Sequence, residues 1–141
     1  VYPMIQTIFE RATTEDITVP RNKLPELVRA VQAIAAAEGV MIGLAGHAGD
    51  GNIHPSVLFP QVTPEVLEKA EIAIDNLIRA GLDMGGTISG EHGIGIHKAK
   101  YLAWELGDIQ IELMKRIKQA FDPKGIMNPG KIWMEDGDNN A

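Results

Sequence analysis

The chain has 141 residues, 45% of them hydrophobic, which is enough for the core of one domain. Its 13 basic and 19 acidic residues leave a net charge of −6, which argues against nucleic acid or an anionic membrane surface as the main partner. There is no cysteine, so disulfides, cysteine-held iron–sulfur clusters and thiol nucleophiles are excluded. No apolar run approaches the ~20 residues that a membrane-spanning helix needs. The start, Val1-Tyr2-Pro3-Met4, has no signal-peptide layout and reads as a cut point, so the chain is expected to be one piece of a longer protein.

Residues 1–13 are weakly patterned and read as a torn segment, with Ile5, Ile8 and Phe9 able to share one face of a short helix. Glu15-Asp16-Ile17-Thr18-Val19 alternates polar and apolar and predicts a strand stopped by Pro20. Asn22 can cap a helix that starts near Lys23, with Pro25 in its first turn. Leu24, Leu27, Val28, Val31, Ile34 and Ala35 repeat at helical spacing, and Gly39 supplies a C-cap.

Two β-prone runs, about 40–47 and 53–59, flank Gly49-Asp50-Gly51-Asn52 and predict a hairpin. If Ala48 pairs with Ile53, His47 stands directly opposite His54. Side chains so placed have Cβ atoms roughly 4.5–5.5 Å apart, close enough for two imidazoles to share a metal ion. Asp50 is read as a turn former.

Thr63-Pro64-Glu65 is a cap, a first-turn proline and an acidic first turn. Leu67, Ala70, Ile74, Leu77, Ile78 and Leu82 then form the buried stripe of a long helix to about Met84, broken by Gly85-Gly86. Thr87-Ile88-Ser89 is a fourth strand candidate. Strand–helix–strand–strand–helix–strand is the split βαβ, ferredoxin-like α+β arrangement, with helices on one face of an antiparallel sheet.

Gly90-Glu91-His92-Gly93-Ile94-Gly95 lacks the glycine spacing and context of a dinucleotide fingerprint. Residues 97–106 read as helix or loop, with His97 on the surface. Asp108 can cap a C-terminal helix with Ile109, Leu113, Met114, Ile117, Ala120 and Phe121 inward, and Lys and Arg of 115–118 on its solvated face. An extended arm, Ile126 to Trp133, carries Asn128-Pro129-Gly130-Lys131, and 134–141 is a polar tail. Trp104 and Trp133 read as packing groups. Met41, Met84, Met114 and Met127 read as core filler.

The second helix, about 30 Å long, is long enough to recross the sheet and return the chain to the hairpin end. Glu91 and His92 then fall near His47 and His54. Two imidazoles and a carboxylate with an open position suit a catalytic divalent metal, most simply Zn²⁺, with Fe²⁺ or Mn²⁺ also fitting. Adjacent strand residues point to opposite faces. The reading gives Glu91 to the metal and His92 to proton transfer, although the reverse assignment is also open.

Three motifs together resemble the C-terminal domain of FAD-linked oxidases, the group of glycolate oxidase D subunits, D-lactate dehydrogenases and D-2-hydroxyglutarate dehydrogenases. They are Gly46-His47-Ala48-Gly49-Asp50-Gly51-Asn52-Ile53-His54-Pro55, Gly90-Glu91-His92-Gly93-Ile94-Gly95, and Phe121-Asp122-Pro123-Lys124-Gly125-Ile126-Met127-Asn128-Pro129-Gly130-Lys131. Glu15 to Arg21 also matches, and the resemblance covers about 13–133, so that 14–133 is expected to be a partial cap, or substrate, domain. The resemblance implies that His47, His54 and Glu91 are metal ligands, that His92 is the base, and that Asn128 reaches the flavin. It implies FAD bound mainly by an N-terminal domain absent from this chain, a small 2-hydroxy acid as substrate, and hydride transfer to flavin N5. Some dehydrogenases of the group carry Lys where this chain has Thr14 and Asn where it has Ser56.

The isolated chain is then expected not to turn over. Self-association through uncovered apolar surface, an electron-transfer partner, and a cytoplasmic location with membrane association only through partner subunits complete the expectations. The alternative is a freestanding ferredoxin-like module that binds a metal or ligand without redox activity.

Overall fold

The computed structural model describes residues 7–133. They fall into two compact units that divide between Glu91 and His92. The first unit carries strands β1 (Arg11–Thr14) and β2 (Ile17–Thr18), helix α1 (Leu24–Glu38), strands β3 (Met41–His47) and β4 (Asn52–Phe59), and helix α2 (Pro64–Asp83). The second carries α3 (Ala99–Glu105) and α4 (Asp108–Phe121). The fold is α+β, with an open antiparallel sheet flanked by helices and a helix near its C-terminal end.

Strand β4 is the centre of the sheet. It pairs antiparallel with β3 on one edge and with β1 and β2 on the other. The predicted strand 15–19 is in fact two short strands in one register, Thr14 opposite Ser56 and Ile17 opposite Ile53. Their pairing starts four residues earlier than expected, at Arg11. The interruption has a cause in the partner. The Glu15 N–H donates to Pro55 O at 2.9 Å, and proline has no N–H to return the bond. The fourth strand candidate shrinks to a single bridge between Thr18 and Thr87.

The pleat sorts side chains strictly. Ile53, Pro55, Val57 and Phe59 are buried on one face of β4, where α1 and α2 pack, and His54 and Ser56 lie on the other. Leu27 and Val31 from α1 and Ala73, Leu77 and Ile78 from α2 complete the core. Each large apolar side chain so buried contributes roughly 1.5–3 kcal/mol.

Helix α2 begins as expected, with Thr63 Oγ1 accepting the Val66 N–H. Leu67 is nevertheless exposed, and the buried stripe runs through Ala70, Ala73, Leu77, Ile78 and Gly81. Small residues there let the helix lie close to the sheet. Gly39 ends α1 in the left-handed conformation, at φ 66°. Asn22 does not cap that helix. It lies in a 3₁₀ turn, Arg21–Lys23, and Lys23 occupies the N-cap without a side-chain bond.

In the second unit, residues 97–106 resolve into the short helix α3, where Trp104 meets Tyr101 edge-on at 4.9 Å. Gly107, not Asp108, takes the N-cap of α4. The expected inward stripe of α4 is not buried: Ile109, Leu113, Ile117 and Phe121 are exposed. An amphipathic pattern states that a helix prefers a partner and does not supply one. The same holds for Met41 and Met127, which are exposed and not core filler. Ile5 lies outside the described residues, as does the polar tail, and Ile8 is exposed.

The C-terminal arm holds no strand. It follows a turn built on Asp122, whose carboxylate is bonded by the Lys118 ammonium and accepts the N–H groups of Ile126 and Met127 at 3.0 and 2.8 Å. Lys118, and behind it those two N–H groups, hold the Asp122 carboxyl below the usual carboxylate range. Asn128, at φ 48°, then turns the arm, and the Ile132 N–H donates to Gly95 O at 2.7 Å.

Two measurements check this packing. A methyl at Gly81 would fall 2.5 Å from Ile17 Cγ2. Gly81→Ala is therefore expected to destabilise by about 1–2 kcal/mol, the overpacking outweighing the helix propensity gained. Adding Ile17→Ala should make the double variant less damaged than the sum of the singles in urea unfolding. A stabilised Gly81→Ala chain would refute the close approach.

The Asp122 turn carries an acid transition. A depressed folded pKa gives a contribution that is full above the ordinary value of 3.8 and is lost as pH falls through the lower folded value. Amide exchange at Ile126 and Met127 should accelerate in that window. Asp122→Asn should abolish the transition and loosen both amides already at neutral pH.

Candidate metal centre

The hairpin turn occupies Ala48 to Gly51, closed by bonds from Asp50 N–H to His47 O at 2.9 Å and from Gly51 N–H to Ala48 O at 3.3 Å. Asp50 belongs to this turn. Gly51 adopts φ 76°, and a Cβ there would lie 2.2 Å from Val19 O. Only glycine lets the hairpin tip approach the end of β2, where the Val19 N–H donates to Gly51 O at 3.0 Å.

The histidines are not directly opposite one another. His47 pairs with Asn52, and His54 pairs with Ala45. The register is two residues away from the expected one. A two-residue slip preserves the face, because side chains alternate with period two. His47 and His54 are therefore diagonal neighbours on the same side of the sheet, with ring centroids 5.4 Å apart and planes at 85°.

Glu91 reaches the same place from the other end of the first unit. The chain leaves α2, bridges to β2 at Thr87 and runs past Gly90. A Cβ on Gly90 would sit 2.3 Å from Thr18 Oγ1 and 2.8 Å from Asn52 Nδ2, so the loop lies flush on the sheet. Glu91 Oε1 stands 3.0 Å from His54 Nε2 and 3.4 Å from His47 Nε2. The three ligand-capable atoms lie within 4.8 Å of one another. Tetrahedral bonds of about 2.0–2.2 Å place ligand atoms roughly 3.3–3.6 Å apart, so the two Glu91–imidazole distances are already close to what a small divalent ion needs. Two imidazoles with one carboxylate also match the chemistry of Zn²⁺, Mn²⁺ or Fe²⁺.

The ligand candidates differ in burial. His47 and Glu91 side chains are 55% and 50% exposed, whereas His54 is 14% exposed. Beneath His54 lies Asp16, wholly buried, with Oδ1 3.7 Å from His54 Nδ1. Its Oδ2 accepts the Glu91 N–H at 2.7 Å and the Ser89 hydroxyl at 3.1 Å. Asp16 was readable in the sequence only as the polar member of an alternating strand. The available signal was its position opposite His54, which the register alone reveals. Further along the same face, Thr14 Oγ1 and Ser56 Oγ are hydrogen-bonded at 2.8 Å.

The remaining candidate residues belong to the second unit. His92 is its first residue and is exposed, and His97 is exposed just before α3. Asn128 lines a hollow of about 440 Å³ with Lys115, Gln119, Lys131 and Trp133, a volume in the range of small-molecule pockets. Lys115 and Lys118 line this hollow as well.

Known proteins share this chain's pattern. The family described as FAD linked oxidases, C-terminal domain, matches residues 9–132. The glycolate oxidase subunit GlcD of Bacillus subtilis is 43% identical over 122 residues, which are 86% of this chain and 26% of that protein. The D-lactate dehydrogenase [cytochrome] 1, mitochondrial, of Saccharomyces cerevisiae is 38% identical over 128 residues, 91% of this chain and 22% of that protein. Among solved structures, the 4-ethylphenol oxidase of Gulosibacter chungangensis, in its isoeugenol complex, shares the fold with a TM-score of 0.55 at 24% identity, covering 89% of this chain and 25% of that one. The chain spans about a quarter of the length of these curated relatives. Matched along nearly all of its described length, it belongs to the C-terminal domain family of FAD linked oxidases.

Proposed function

We propose that the chain is the substrate-side part of an FAD-dependent oxidoreductase that oxidises a small 2-hydroxy acid of the glycolate or D-lactate type. The observation that carries this reading is the convergence of His47, His54 and Glu91 on the sheet face away from the helices. Family membership and the 2-hydroxy-acid chemistry named in two relatives support it.

His47, His54 and Glu91 would hold a divalent cation, which supplies positive charge for a hydroxyl and carboxylate and eases loss of the alcohol proton. A bound flavin supplies the acceptor for the hydride leaving C2. The chain's own residues do the rest. His47, His54 and Glu91 would hold the cation at an exposed rim of the sheet, where an acid can reach it. His92, next to Glu91 in the chain, accepts the hydroxyl proton, so that hydride and proton together leave a 2-oxo acid. Asn128 is the residue that the family resemblance gives to the flavin. The neutral Thr14–Ser56 hydroxyl pair occupies the positions where some dehydrogenases of the resembled group carry Lys and Asn. It supports an acid with a single carboxylate. The FAD-binding domain needed for turnover is a separate part of the full-length protein, as the fractional coverage of the relatives suggests.

The metal reading is tested on the chain itself. Calorimetric titration with Zn²⁺ and Mn²⁺ should give one site per chain, and His47→Ala, His54→Ala and Glu91→Gln should each weaken it by at least about 10-fold, with His54→Ala the most severe. Uptake by all three variants equal to that of the unsubstituted chain would remove the site. In the full-length protein, His92→Gln should cut kcat by about 10²–10⁴-fold with flavin content unchanged. Asn128→Ala should instead lower flavin retention, read from the absorbance of the purified protein. A full-rate His92→Gln enzyme would reassign the base.

A further inference from the structure

Asp16 is wholly buried, yet none of the chemistry above uses it. We infer that Asp16 is the positioning residue of the centre: one buried carboxylate that pins the Glu91 loop through Oδ2 and aligns the His54 ring through Oδ1. The orienting half rests on the metal-centre reading, whereas the pinning half does not.

The geometry assigns the two roles to two oxygens. Oδ2 takes the Glu91 N–H at 2.7 Å and the Ser89 hydroxyl at 3.1 Å, which fixes the backbone on both sides of Gly90. The bond from Glu91 joins residues 75 apart in the chain. Hydrogen bonds to a carboxylate contribute more than those to a neutral acceptor. Oδ1 lies 3.7 Å from His54 Nδ1, beyond a hydrogen bond but facing the ring nitrogen opposite Nε2. A carboxylate there favours a proton on Nδ1. Nε2, the nitrogen toward Glu91, is then left with its lone pair for a cation. Asp16 also stands opposite His54 in the strand register, between the Thr14–Ser56 and Ile17–Ile53 pairs, so the strands themselves set the contact.

Asp16→Asn separates this role from simple burial. The amide is isosteric. Its oxygen can keep the Glu91 and Ser89 donors, and its NH₂ then faces His54 Nδ1. An NH₂ donor there makes Nδ1 the acceptor and leaves the proton on Nε2, where it blocks a ligand.

Two measurements on the whole chain decide the matter. In metal-free protein, amide exchange at Glu91 is expected to be slow and to accelerate at least ~10-fold in Asp16→Ala, with the β4 amides of Ile53 and Val57 unchanged. In calorimetric titration with Zn²⁺, Asp16→Asn is expected to keep the Glu91 amide protected and to raise Kd about 10–100-fold. Glu91 exchange that is equally fast with and without Asp16 overturns the pinning role. Wild-type Zn²⁺ affinity in Asp16→Asn overturns the orienting role. Should the unsubstituted chain bind no Zn²⁺, the metal-centre reading falls and the orienting role with it, while the exchange measurement still decides the pinning role. Should Asp16→Ala fail to fold, the comparison is made on Asp16→Asn, where loss of Glu91 protection would overturn the assignment of the two oxygens.

Discussion

Strand β4 runs between antiparallel partners on both edges, so each of its side chains is committed to one of two faces. The face with Ile53, Val57 and Phe59 takes the helices and becomes core. What remains for His54 and Ser56 is the opposite face, together with whatever residues β3 and β1–β2 align with them. A histidine at an even position of this strand cannot join the core without turning the apolar residues outward. The site is therefore a by-product of core formation: the same packing that stabilises the unit holds His54 in place.

This constraint explains which parts of the site could be read from sequence. The histidine pair was legible even though the expected register was off by two, because a two-residue shift leaves the face unchanged. A one-residue shift would have put the two rings on opposite sides of the sheet. Glu91 was legible from the split βαβ topology, in which a helix of the span of α2 returns the chain to the hairpin end. Asp16 was not. Alternation marks it as polar and suggests solvent, whereas its face is covered by the loop from Ser89 to Glu91. That cover comes from residues more than seventy positions away, beyond any local pattern.

The apolar stripe of α4 failed as a core prediction for the complementary reason. Ile109, Leu113 and Ile117 recur at a spacing of four, and periodicity identified the face correctly as one side of a helix. Burial depends on a second surface, and the described residues do not bring one to it. The capping errors at Asn22 and Asp108 are smaller cases. A residue able to cap does so only where the chain enters the helix at that position, and here the 3₁₀ turn and Gly107 move the entry by one residue.

Uneven burial gives the three ligand candidates different tasks. His54 is enclosed by the sheet and has little rotamer freedom left to lose on binding a cation. His47 and Glu91 are about half exposed, and each gives up side-chain freedom worth roughly 0.5–1.5 kcal/mol when fixed. Glu91 is the better restrained of the two, because its backbone N–H is bonded to a buried acceptor. His47, at the last position of β3 and beside the turn, keeps the most freedom. The cluster is thus an enclosed ring and a tethered carboxylate, with a second, half-exposed ring beside the turn. The inner wall of the cluster is its most restrained part, and its exposed side the least.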